Sequence, residues 1–134
     1  MYYIKFKMKN SLFIFVEYLL YLSLVVLIII YLFPGSIIGY FLYGDLKQQP
    51  NLIDNPVGTS INHFFYFIYV SALAAIHNLK SKSIVTNFYF IFLFSILLEI
   101  SHLIIPNRSF EYYDLFANIG GVGVVFVIKK ILNV

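Results

Sequence analysis

The 134-residue chain has no cysteine and no tryptophan, and only 11% of its residues are charged. Without cysteine there are no disulfides, no thiolate catalysis and no Cys-type zinc sites. Ordinary soluble domains are roughly 25% charged and 45–50% apolar, whereas this chain is 61% apolar. A soluble fold of one domain's length could not hide that much apolar surface, so the composition points to lipid as the solvent. Fixed-period repeats and low-complexity tracts are also missing. The net charge of +3 forms no basic face suited to nucleic acid.

What is present is a set of long apolar runs. Leu12 to Phe33 gives 22 residues with a single charge, Glu17. Ile61 to Leu79 gives 19 residues with no formal charge, and Phe88 to Ile105 gives 18 with only Glu99. A fourth run, Leu115 to Ile128, has 14 residues and spans if its helix begins near Phe110. A bilayer core of about 30 Å needs roughly 20 helical residues. The expected fold is therefore all-α: one transmembrane domain over residues 1–134, with four helices at about 12–33, 61–79, 88–105 and 112–128. Strand crossings are disfavoured, because the runs lack alternation and are too long.

Charge placement orients this four-helix membrane bundle. With Lys5, Lys7 and Lys9 inside, Lys80, Lys82, Lys129 and Lys130 also fall inside, against Lys47 and Arg108 outside. Both termini are thus expected in the cytoplasm. The first run is too long for a signal-peptide core and is read as an uncleaved anchor. Tyr2, Tyr3, Tyr40, Tyr43, Tyr112 and Tyr113 fall near the expected boundaries as interfacial aromatics. Residues 34–60 form the long external loop. Its apolar first part, Pro34 to Gly44, reads as a partial helix in the interface. Its second part, with Pro50 and Pro56, reads as a surface loop.

On this topology the polar residues gather near the outer face. Asn62 and His63 open the second long helix. Glu99 and His102 lie late in the third, Glu99 about 9 Å from its end at 1.5 Å per residue. Arg108 sits in the external turn, and Asp114 and Asn118 open the fourth. Ser95, Glu99 and His102 share one helical face, as do Asp114, Asn118 and Gly121. The short 106–109 turn makes the last two helices antiparallel neighbours. Gly120, Gly121 and Gly123 are expected to allow close approach there, with Arg108 capping the two stripes. An ionisable group such as Glu99 inside a span marks a candidate functional site. Glu17, near the inner face, is read as structural, and His77, 14 residues and roughly 21 Å from His63 across the membrane, as interfacial. Glu99-x-x-His102 matches half of a carboxylate di-iron site, but no second copy exists, so neither a metal nor a cofactor is expected.

The segment from Glu99 to Gly121 resembles the signature of VanZ-like membrane proteins, Glu-x-x-Gln, Pro-x-Arg and Asp-x-x-x-Asn-x-x-Gly. Glu99, Pro106, Arg108, Asp114, Asn118 and Gly121 fall in register. Asn62-His63-Phe64-Phe65-Tyr66 is similar to the family's Asp-Lys-x-x-His followed by aromatics. The motifs span residues 55 to 125, and the first crossing matches only as an apolar anchor. Four positions depart from the pattern: Thr59 and Ser60 replace Asp-Lys, His102 replaces Gln, and Val125 stands where a second Gly often packs. The family is named for a protein conferring low-level teicoplanin resistance. The resemblance therefore implies a multi-pass protein of the bacterial cytoplasmic (inner) membrane with an envelope role, and no particular reaction.

Two functional readings follow. In the first, an external pocket binds membrane lipid, a lipid-linked molecule or a glycopeptide through Arg108, Asp114, Asn118, Glu99 and His63. The guanidinium fork suits a phosphate or carboxylate, and Glu99 and His102 shape the pocket floor. In the second, an intramembrane enzyme acts on a lipid head group at the outer leaflet, with Glu99, His102 or His63 as general acid or base. A transporter is disfavoured, because the inner halves of the last two helices offer no polar path.

Overall fold

A computed structural model describes residues 10–50 and 58–133. Lys5, Lys7, Lys9, Tyr2, Tyr3 and Pro56 lie outside the described residues. The chain is all-α: α1 Asn10–Leu32, α2 Ile37–Tyr43, α3 Gly58–Asn78, α4 Phe88–Ser101 and α5 Tyr112–Leu132. No strand occurs among the described residues. Two helices, α1 and α5, are long and apolar enough to cross a membrane.

Because α1 is apolar on every side, its sequence does not reveal which face packs. In the fold, Val16, Leu20, Ser23, Leu24, Leu27 and Tyr31 are buried, a stripe at spacings of three and four. Phe15, Tyr18, Leu22 and Ile29 on the other faces stay exposed. Only 28% of the most apolar window of α1, and 17% of that of α5, is buried. The core helix of a soluble protein would be mostly covered.

End-to-end contacts give the helix directions. Lys80 Nζ donates to Asn10 Oδ1 at 2.6 Å, and Tyr31 meets His63, so α1 and α3 run antiparallel. Phe88 packs on Phe126 with ring centroids 4.1 Å apart, while Asn118 reaches Ser95 and Glu99, so α4 and α5 are antiparallel as well. The glycines of α5 act elsewhere than expected. A Cβ at Gly121 would come within 2.5 Å of Phe64 O and 3.1 Å of Ile68 N, so Gly121 seats α5 against α3, not α4. Gly120 faces Phe64, and Gly123 has nothing within 4 Å. The close approach serves the helix that carries His63.

The third run ends sooner than its hydropathy suggests. α4 stops at Ser101, and His102, Leu103 and Ile104 N–H groups instead bond three residues back at 3.1 Å. Pro106 disfavours helical backbone at Ile105, and Asn107 turns the chain at φ 58°. Glu99 therefore sits in the last turn of α4, not deep within a longer span. α3 begins three residues before the expected start and α5 runs a turn past its expected end. In the 34–44 segment, α2 forms. Ser36 accepts from Gly39 N–H at 2.9 Å, Gly44 closes the helix at φ 72°, and Ser36 N–H donates to Leu46 O at 2.6 Å. This fold-back sets Leu46 and Gln48 against Gly35 and Gly39, and Pro50 O accepts from Asn62 Nδ2 of α3 at 2.7 Å.

Candidate functional site

Three helices bring the polar stripes together. Glu99 and Asn118 are fully buried, and Asp114 and His102 are each 4% exposed. Asn118 Nδ2 donates to Ser95 O at 3.4 Å and Glu99 Oε2 at 3.5 Å. Glu99 Oε1 accepts from the Glu111 N–H at 3.3 Å and lies 3.3 Å from His102 Nδ1. The Ser60 hydroxyl donates to Asp114 Oδ1. His63 stands between the carboxylates, Nε2 at 3.5 Å from Asp114 Oδ2 and Nδ1 at 3.9 Å from Glu99 Oε2. A buried carboxylate without partners is very costly. Here Glu99 is met by His63, His102, Asn118 and the Glu111 N–H, and Asp114 by Ser60 and His63.

Tyr31 is the residue the sequence reading missed. Its hydroxyl lies 2.6 Å from His63 Nδ1 and donates to Asn118 Oδ1 at 3.1 Å. Its ring stacks on His102, centroids 5.1 Å apart and planes at 16°. α1 thus supplies the hub of the cluster, beyond its expected part as an anchor. Tyr31 falls four residues after Leu27 on the buried stripe, but the sequence carries no signal for it, because α1 is apolar on every side.

Arg108 also departs from expectation. It does not cap the Glu99 and Asp114 stripes. Its Nη2 donates to Ile30 O at 2.7 Å and its Nε to Phe33 O at 3.4 Å, which satisfies open carbonyls at the C-terminal end of α1. Partial burial lowers its pKa from the ordinary guanidinium value, while Tyr31, Glu99 and Asp114 act to raise it. A guanidinium remains charged throughout.

Beside this cluster is a cavity of about 170 Å³ between α1, α2, α3 and the 102–108 turn. Its lining includes aliphatic Leu27, Ile30, Ile37 and Ile38 and polar Asn62, His63, His102 and Arg108. Two polar atoms of lining residues, His102 Nε2 and Asn62 Oδ1, are buried without a partner. Of the five expected ligand contacts, Arg108 and His63 reach the wall, while Glu99, Asp114 and Asn118 lie behind it. Tyr31 and His102 also line it, and Glu99 Oε1 lies behind, 3.3 Å from His102 Nδ1.

Glu17 and His77 form a separate pair at the opposite end. His77 is 1% exposed, so it is a core residue and not an interfacial one. Its Nε2 lies 3.6 Å from Glu17 Oε1, and Phe13 packs on the ring at 4.8 Å.

No family model, curated protein or solved structure matches this chain.

Proposed function

We propose that this chain is a VanZ-like multi-pass protein of the bacterial cytoplasmic membrane whose outward cavity binds the anionic head group of an envelope lipid or lipid-linked molecule. The observation that carries the reading is the cavity's mixed lining: aliphatic Leu27, Ile30, Ile37 and Ile38 together with Arg108 and an unpartnered His102 Nε2. The aliphatic side chains suit an acyl chain, and Arg108 suits a phosphate. The membrane setting is supported by the inside-out distribution of side chains. Ser95, Glu99, Asp114 and Asn118 are buried, while Phe15, Leu22, Leu93, Leu97, Phe116 and Ile131 face outward. The resemblance to VanZ-like proteins extends the proposal to a role in teicoplanin-type resistance.

A second reading, an intramembrane enzyme acting on a lipid head group, is favoured by one observation. His102 lines the cavity with Glu99 Oε1 3.3 Å from its Nδ1 and its Nε2 without a partner, an arrangement that orients a general base.

The test is lipid capture. Purified protein in nanodiscs of mixed phosphatidylglycerol and phosphatidylcholine should retain the anionic lipid through gas-phase ejection. Arg108→Gln and His102→Leu should each weaken that retention. Equal retention of both lipids by the unaltered protein would discard the head-group reading, and turnover of the retained lipid would select the enzyme.

A further inference from the structure

Hydrogen-bond donors and acceptors around His63 can be counted. Asn118 Nδ2 faces two acceptors, Ser95 O and Glu99 Oε2, so its Oδ1 faces Tyr31 and takes the single phenol proton at 3.1 Å. The 2.6 Å contact between Tyr31 Oη and His63 Nδ1 must then be an imidazole N–H donated to the phenol oxygen. A neutral His63 consequently carries its lone pair on Nε2, and that atom lies 3.5 Å from Asp114 Oδ2. Two acceptors face each other, with the Glu99 carboxylate alongside. Among the described residues, the ion-pair partners of Glu99 and Asp114 are histidines alone. The arrangement calls for a cation at this point.

We infer that His63, Glu99 and Asp114 form a binding site for a divalent first-row metal ion. One donor atom from each of the three lies within 4.8 Å of the others. Coordination bonds of 2.0–2.2 Å set donor separations of about 3–3.5 Å, so small side-chain rotations close the site. An imidazole with two carboxylates suits Zn²⁺, Mn²⁺ or Fe²⁺. The supporting residues are those such sites use: Tyr31 holds the other His63 nitrogen, Ser60 donates to Asp114, and the Glu111 N–H and Asn118 donate to Glu99. His63 also lines the cavity. Three protein donors leave coordination positions free for a ligand from that side. His102 Nε2, 4% exposed and unpartnered, belongs to a residue that lines the same cavity as His63 but is not one of the three donors. The expectation of no metal rested on the missing second Glu-x-x-His; the fold instead gathers single donors from three helices. This site does not depend on which molecule fills the cavity.

The test uses the full chain in detergent, stripped with a chelator and titrated with Zn²⁺, Mn²⁺ or Co²⁺ alone. The expected result is one ion per chain by elemental analysis after gel filtration. Pulsed EPR of bound Mn²⁺ should show one coordinated imidazole nitrogen. His63→Gln and Glu99→Gln should weaken binding by more than the roughly 10–100-fold that losing a supporting residue costs. His77→Gln, in the distant Glu17 pair, should bind as the unaltered protein does. Substoichiometric binding, or bound Mn²⁺ without a nitrogen coupling, would overturn the site and leave His63 as an imidazolium between two carboxylates. Unchanged affinity in a folded His63→Gln protein, or loss in a folded His77→Gln protein, would overturn it equally. The nitrogen coupling needs no variant, so the inference stays testable should a substitution prevent folding.

Discussion

Arg108 and Ile30, 78 residues apart, are joined by a 2.7 Å hydrogen bond from guanidinium to backbone carbonyl. An α1 carbonyl near the last turn thus has its donor supplied by the turn between α4 and α5. The same side chain borders the cavity, so it serves architecture and site together. Its place in an external turn suggests a residue that acts in function more than in folding; the bond to Ile30 adds the second role. Arg108→Ala should lower stability by about 1–3 kcal/mol, the range for losing hydrogen bonds from a charged donor. Arg108→Lys keeps the charge but not the fork, and should recover only part of the loss. Unfolding midpoints in detergent–denaturant titrations read both. An unaltered midpoint for Arg108→Ala would show that the Ile30 bond contributes nothing.

Tyr31→Phe removes one oxygen and leaves the ring to stack on His102 and meet Phe67. Asn118 Oδ1 and His63 Nδ1 would each lose their tyrosine partner. The expected cost is about 1–3 kcal/mol, the penalty for leaving a buried polar group unsatisfied. A loss of stability below a few tenths of a kcal/mol would mean that water replaces the hydroxyl.

The polar half of the site was largely legible from the chain. Glu99 with His102, and Asp114 with Asn118, are spaced to share helix faces, and ionisable groups inside apolar runs identify themselves. Tyr31 was not legible, because α1 is apolar all round and carries no periodicity to show which face packs. Arg108 pointed to an external turn, yet its partners are backbone carbonyls, which look alike in any sequence. The end of α4 was misjudged because Leu103, Ile104 and Ile105 are as apolar as the helix before them. Hydropathy does not distinguish a helix from the tight turns that follow it.

The glycines of α5 separate into two kinds. A methyl at Gly121 would meet Phe64 O at 2.5 Å and Phe67 Cβ at 3.0 Å, so α3 and α5 must part. Gly121→Ala should destabilise by about 1–3 kcal/mol, as overpacking does. At Gly123 a methyl meets open space, and Gly123→Ala should be neutral or stabilise by up to about 1 kcal/mol through helix propensity. Comparison of the two midpoints tests which face of α5 carries the packing, and equal effects would contradict the α3 contact.

The orientation of the chain follows from which lysines share an end. The Lys80 to Asn10 bond places the start of α1 beside the end of α3. The Phe88–Phe126 contact places the start of α4 beside the last turns of α5, where Lys129 and Lys130 lie. Lys80, Lys82, Lys129 and Lys130 therefore flank one end of the helices. Lys47 and Arg108 flank the other, with the cavity. Basic residues favour the cytoplasmic side, so the cavity is expected to open outward. A reporter active only in the cytoplasm should give signal when fused after Asn133 and none when inserted in the Asp45–Lys47 turn. A periplasm-active reporter should give the reverse. Cytoplasmic signal from the 45–47 insertion would turn the cavity inward and remove an outer-leaflet ligand from consideration, while leaving the buried cluster of His63, Glu99 and Asp114 as it stands.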